Sequence, residues 1–278
     1  MQAAAVKSNW LAICVLLVSP LALRAQIAPP AAAQATPTPE PEPLTRDFSE
    51  AQVVALGKQI YDQDQHSDVA VSLARANGVN FAAEQVRGSI VLRDRSAERI
   101  RFVREEKGAL VNAFEIAFVA GAPPQFKRLA GESLTPAEEG QFRARMRAMT
   151  GVTMVCSKVY GFVILDHPQM DAFLIYAIAK PTEPGSIVVG GHYRFVVSRD
   201  GKTGISAERL FRSCLNMSAN APGFDKREGI AVTNLSSLRP LESHVYLSLF
   251  NQTPILVAAP DGIIWKVDGL RIDAIGRR

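Results

Sequence analysis

Between residues 187 and 197 every second position is apolar or glycine: Ile187, Val189, Gly191, Tyr193, Phe195 and Val197. The intervening Val188, Gly190, His192, Arg194, Val196 and Ser198 are mixed. Side chains alternate across a strand, so this spacing predicts one strand with a dry face and a partly wet one. Arg199-Asp200-Gly201-Lys202 breaks the run. Asp-Gly favours a hairpin because glycine accepts positive φ, and a return strand over 203–210 follows. A strict two-residue loop would set Phe195 opposite Ser206 and Val197 opposite Gly204. Shifting the pairing by one sets Phe195 opposite Ala207 and Val197 opposite Ile205, which keeps the dry face apolar. That register, with a bulge or odd loop, is the expected one.

The rest of the chain reads in the same way. Val53, Val54, Leu56, Ile60 and Tyr61 recur at roughly helical spacing, predicting a helix over 48–66 capped by Ser49. A second helical piece over 69–76 ends at Asn77-Gly78. Its Ala, Gln and Asp content marks the segment as peripheral. Residues 89–93, 99–104 and 109–119 read as three strands, and 121–131 as a loop. Arginines 93, 95, 99, 101 and 104 alternate there with acids, the mark of a solvated face of weak ion pairs, or else of an anion site. Thr135-Pro136-Ala137-Glu138 is a capping box with proline at N1 and predicts a helix to about Met149. Phe142, Met146 and Met149 form its expected core side, with Arg143, Arg145 and Arg147 mainly elsewhere. Continuous apolar runs over 159–165 and 172–179 predict central strands covered on both faces. Short strands are expected at 230–234, 243–250, 255–259 and 263–267, with a fifth over 270–275. The sum is an α+β fold: a single domain over 44–278, with a mostly antiparallel meander sheet flanked by a few helices.

The N-terminus changes the picture. Lys7, the apolar run over 11–23 and Ala25 compose a secretory signal peptide over 1–25. The run is short for a membrane span and is interrupted by Pro20, which favours cleavage over an uncleaved anchor and leaves no stable membrane span. Residues 26–43 hold six prolines and form an Ala/Pro-rich linker, too poor in apolar bulk to build a core. Loss of Lys7 and Arg24 takes the formal charge from +4 to about +2. That balance, without a basic cluster interleaved with aromatics, argues against a nucleic-acid partner. Of the three cysteines, Cys14 leaves with the signal. Cys156 and Cys214 remain, and in an exported chain they predict one disulfide rather than two separate buried thiols.

Candidate chemistry is sparse. The four histidines, His66, His167, His192 and His244, sit in no metal spacing, and no cofactor is implied. No nucleophile elbow, P-loop or dinucleotide glycine pattern occurs. Gly190-Gly191 inside a strand pattern marks close backbone approach or a bulge. One constellation stands out as a ligand-binding candidate: His192, Arg194, Glu242, His244 and Tyr246. His192 and Arg194 share one face of their strand. His244, Tyr246 and Ser248 share a face if 243–250 is extended. Were the two strands neighbours, they would converge on an anion, a carboxylate or a metal, or supply acid/base groups. The plainer reading makes each histidine a half-buried strand residue bonded to backbone.

GGHYRF followed by Asp200-Gly201, RSC at Cys214, and ESHVYLSL with DGIIWKV resemble uncharacterised exported proteins of Gram-negative bacteria, over roughly 150–270. The resemblance implies no activity. The expectation is an exported, periplasmic, non-catalytic protein that binds an envelope component or a protein partner. A hydrolase or metal-dependent enzyme using the His192/His244 face is the alternative.

Overall fold

The structure is a computed structural model that describes residues 48–278 except 223, 235 and 236. The expected signal peptide over 1–25 and the expected linker over 26–43 lie outside the described residues.

The first element is α1 (Glu50–Ala76), a single 27-residue helix where the sequence suggests two pieces. Ser49 and Gln52 close a capping box at its start. Nor is α1 peripheral. Val53, Leu56 and Ile60 enter the largest core cluster, a burial that stabilises by roughly 2 kcal/mol per side chain. Its polar residues mislead because Gln63 and Asp64, both 1% exposed, are buried against partners rather than water.

An antiparallel meander follows, in the order β1 (Val86–Arg93), β2 (Ala97–Glu106), β3 (Ala109–Val119) and β4 (Gln125–Arg128). β4 falls in the segment read as a loop. The charge mixture of this sheet resolves into pairs: Arg93 with Glu98, Arg99 with Asp94, Arg101 with Glu115 and Glu138. One face packs on the second half of α1 through Ala70 and Ala74. The other packs through Ile90 and Val103 on Phe142 of α2 (Pro136–Thr150).

α2 starts at its capping box, but its inward stripe differs from the expected one. Met146 and Met149 are exposed, and Gly140, Ala144 and Ala148 are buried. Small side chains let the helix lie on the backbone of the 199–201 turn: a Cβ on Gly140 would stand 2.1 Å from the Arg199 carbonyl oxygen.

That turn belongs to the central sheet. It runs in the order β5 (Tyr160–Asp166), β6 (Ala172–Ala179), β8 (Tyr193–Ser198) and β9 (Gly204–Arg209). Between β6 and β8 lies β7 (Ser186–Val188), which leaves the sheet to pair with β10 (Asn216–Ser218). The predicted single strand is therefore two, and they belong to different sheets. Gly191, at φ +83, is the break. Before it the odd-numbered Ile187 and Val189 join one core cluster. After it the odd-numbered Tyr193, Phe195 and Val197 join another, on the α2 side of the sheet. Alternation persists in sequence while the faces exchange in space. In the β8–β9 hairpin Phe195 faces Ala207, as expected. A bulge then sets Val197 against Gly204 instead of Ile205.

Cys156 and Cys214 form the disulfide, with Cα atoms 5.3 Å apart. The glycine pair passes beneath it: a Cβ on Gly191 would stand 2.3 Å from Cys156 Cβ, and one on Gly190 2.0 Å from the Ser213 carbonyl oxygen.

The C-terminal sheet contains β11 (Ile230–Thr233), β12 (Ile255–Ala258), β13 (Ile263–Asp268) and β14 (Arg271–Arg277). The segment read as a strand over 243–250 is a helix, α3 (Glu242–Asn251). It crosses between β11 and β12, which pair in parallel, the exception in otherwise antiparallel sheets. Parallel neighbours require a crossover, and α3 supplies it. Its residues 242–248 are all buried, so no polar period betrays the helix. α1 and α3 pack closely where Gly57 meets Val245. Among the described residues no helix is long and apolar enough to cross a membrane.

Candidate functional site

Three strands of the central sheet present a cross-strand row. Tyr176 on β6 lies opposite Arg194 on β8, which lies opposite Glu208 on β9. Directly opposed residues share a sheet face, and Tyr176 and Val196 turn this face toward α1 and α3. The sequence reading leaves that face partly wet. It is sealed instead, with His192 0% and Arg194 2% exposed. The cause is α3. Glu242, in its first turn, accepts on Oε1 from Arg194 Nη1 at 2.6 Å and from Tyr176 Oη at 2.9 Å. Glu208 accepts from Arg194 Nε at 3.1 Å and Nη2 at 2.5 Å. Burial opposes the charge of Arg194, but Glu242, Tyr176 and Glu208 outweigh it and raise its pKa. Burial, then Glu242, holds Tyr176 as a phenol.

The two histidines flank Phe211, whose ring centroid lies 5.6 Å from His192 and 5.4 Å from His244. Each Nδ1 accepts a backbone N–H: His192 from Ala179 at 3.1 Å, His244 from Leu241 at 2.8 Å. An accepting Nδ1 assigns the proton of the neutral ring to Nε2. Burial lowers both pKa values to about 4, so both rings are neutral at pH 7. His244 thus caps α3 by satisfying the N–H of Leu241, the residue before its first turn. Tyr246 keeps an edge-on ring contact with His192, with centroids 6.2 Å apart, but its hydroxyl turns away. Its Oη donates to Asp64 Oδ2 on α1 at 3.0 Å, which also accepts from Lys180 Nζ at 2.7 Å. Burial raises the Asp64 pKa against the opposing pull of Lys180.

Of the five predicted residues, the fold joins Arg194 to Glu242, sets His192 and His244 around Phe211, and sends Tyr246 to Asp64. These contacts are separate pairs, and they run through a helix rather than a second strand. Among the described residues neither imidazole hydrogen-bonds to a hydroxyl, thiol or carboxylate, and no group of three His, Cys, Asp or Glu residues is placed to hold a metal ion. The arrangement is chemically a tie between sheet and helix.

A smaller pocket of about 350 Å³ adjoins Phe211, and a roomier one lies elsewhere. A cleft of about 560 Å³ is bounded by α1, the β1–β2 edge, α2 and the start of β5. Arg145 of α2 lines it with its guanidinium over the Phe162 ring, 5.1 Å from the centroid. Nη1 donates to the Phe162 carbonyl at 3.3 Å. Nε is buried with no partner among the described residues, and no carboxylate pairs with this arginine. Burial, with no counter-charge to oppose it, lowers its pKa to about 10. A β-bulge at Val86/Gly88 brings the β1 backbone against it: a Cβ on Gly88 would stand 3.3 Å from Nε. Arg75, Arg87 and Lys180 also line the cleft, with Asp68 the one carboxylate, held by Lys180 at 2.9 Å.

Sequence reading set Arg145 away from the core side of its helix and missed this role. A signal was present: Arg145 stands three residues after Phe142, on the helix side that meets β1. No family model, curated protein or solved structure matches the chain.

Proposed function

We propose that the chain is exported to the periplasm, loses residues 1–25, keeps 26–43 as a spacer, and acts as a non-catalytic protein binding an envelope component or protein partner. The observation that carries the binding reading is Arg145, a half-buried cation lining an open cleft with no counter-charge among the described residues. Desolvating a charge without a counter-charge is costly, and such groups cluster at functional sites. The residues best suited to acid/base work, His192 and His244, are committed to backbone N–H groups. Export is supported by the disulfide, since such bonds persist in oxidising compartments, and by the signal-like pattern over 1–25.

The test is cell fractionation of the full chain with N-terminal sequencing and thiol alkylation. The expected product is periplasmic, begins at Gln26 and resists alkylation until reduced. A cytoplasmic chain with two free thiols in place of the bridge overturns the reading.

A further inference from the structure

Building on that binding reading, we infer that the cleft takes a small anionic amphiphile, a carboxylate or phosphate head on an apolar chain, with the head at Arg145. Two properties of the lining specify this class. The first is charge. Arg75, Arg87, Arg145 and Lys180 face a single carboxylate, Asp68. Lys180 is already neutralised by Asp64 and Asp68, and Arg87 pairs with Glu105. Arg75 and Arg145 pair with no acid among the described residues; Arg75 lies over the Phe81 ring. A planar guanidinium with free donors suits a carboxylate or phosphate. Among the described residues Arg145 bonds only through Nη1, to the Phe162 carbonyl, which leaves Nη2 to meet such a head.

The second property is the apolar wall. Val71, Phe81, Val86, Phe102 and Phe162 line the same cleft. A simple inorganic ion would leave them unused, whereas an alkyl chain removes them from water. The volume, about 560 Å³, lies within the range of roughly 300–1,000 Å³ usual for small-molecule sites. The glycine at 88 matters for the same reason. Its missing Cβ leaves Arg145 room beside β1, and the adjacent bulge fixes the local strand direction.

Titration calorimetry on the folded, oxidised protein tests this, with dodecanoate, dodecyl phosphate, inorganic phosphate and dodecanol, the amphiphiles kept below their micelle concentrations. Dodecanoate or dodecyl phosphate is expected to saturate one site. Arg145→Met should weaken that binding at least tenfold. Arg75→Gln, on an exposed side chain that does not threaten folding, should weaken it severalfold. Arg143→Gln, outside the cleft, should leave it unchanged. Three results would overturn the inference: no saturable binding of either anionic amphiphile, dodecanol binding as tightly as dodecanoate, or inorganic phosphate matching dodecyl phosphate. Unaltered affinity in both Arg145→Met and Arg75→Gln would also do so. Native mass spectrometry of protein released from the envelope separates this inference from the broader one. A retained neutral or cationic adduct sinks the anionic ligand but leaves the binding protein standing. No adduct and no titrant binding sinks both.

Discussion

Arg194 Nη1 lies 2.6 Å from Glu242 Oε1, with the two side chains 2% and 0% exposed. The contact joins the middle of the central sheet to the first turn of α3, 48 residues away in sequence. Neither partner can be removed without leaving a charge in the interior. Glu242→Ala is therefore expected to destabilise the fold by about 3 kcal/mol, the scale for breaking a buried pair. Arg194→Met combined with Glu242→Leu and Glu208→Leu, which removes all three charges of the cluster, should recover part of that loss. Urea denaturation measures both, and a single-variant loss under about 1 kcal/mol would remove the tie from the account.

The buried histidines make stability depend on pH. Each has a folded pKa of about 4 against an ordinary value of 6.5. The unfolded chain therefore binds more protons between those values, so stability is full above about 6.5 and falls as the pH drops toward 4. A shift of that size corresponds to about 3 kcal/mol per histidine. Asp64, with its raised pKa, works in the opposite sense at the acid end. Melting curves from pH 7 to 4 should be steeper in the native protein than in His192→Gln. Equal slopes would show that His192 is not neutral in the folded protein.

Helix packing gives a third test. A Cβ at Gly57 would stand 2.4 Å from Val245 Cβ. Gly57→Ala should destabilise by about 1–3 kcal/mol through overpacking, despite the better helix propensity of alanine. Val245→Ala in the same chain should relieve part of it. Gly276→Ala, whose Cβ meets nothing, is the control and should shift stability by no more than about 0.5 kcal/mol.

Removing the disulfide gives the fourth. The bridge closes a loop with a sequence separation of 58, which corresponds to about 4 kcal/mol if it acts on the unfolded chain. Cys156→Ser with Cys214→Ser, and reductant added to the native protein, should lower stability by similar amounts. Insensitivity to reductant would mean the bond does not form.

The first two helices were legible to different degrees for local reasons. Capping boxes at Ser49 and Thr135 announce both starts, because the cap is built within four residues of chain. The inward side of α2 was legible only at Phe142. The Phe142, Met146 and Met149 stripe follows hydrophobicity, whereas the helix lies between two sheets and uses Gly140, Ala144 and Ala148 for close approach to one of them. A pattern that scores bulk cannot register a contact made by small residues. The helix over 242–251 failed for a related cause: a segment buried on every side loses the polar face that reveals its period.

The sequence by itself determined three of the four strands of the N-terminal meander, the hairpin at Asp200-Gly201 and the pairing of Cys156 with Cys214. Each depends on neighbouring residues or on counting. Tertiary structure decided that Arg194 is sealed under α3, that the Tyr246 hydroxyl bonds Asp64 while its ring meets His192, and that Arg145 beside a cleft has no counter-ion among the described residues. Those outcomes turn on which distant groups exclude water from a side chain, and burial of that kind belongs to the assembled layers rather than to any one stretch of chain.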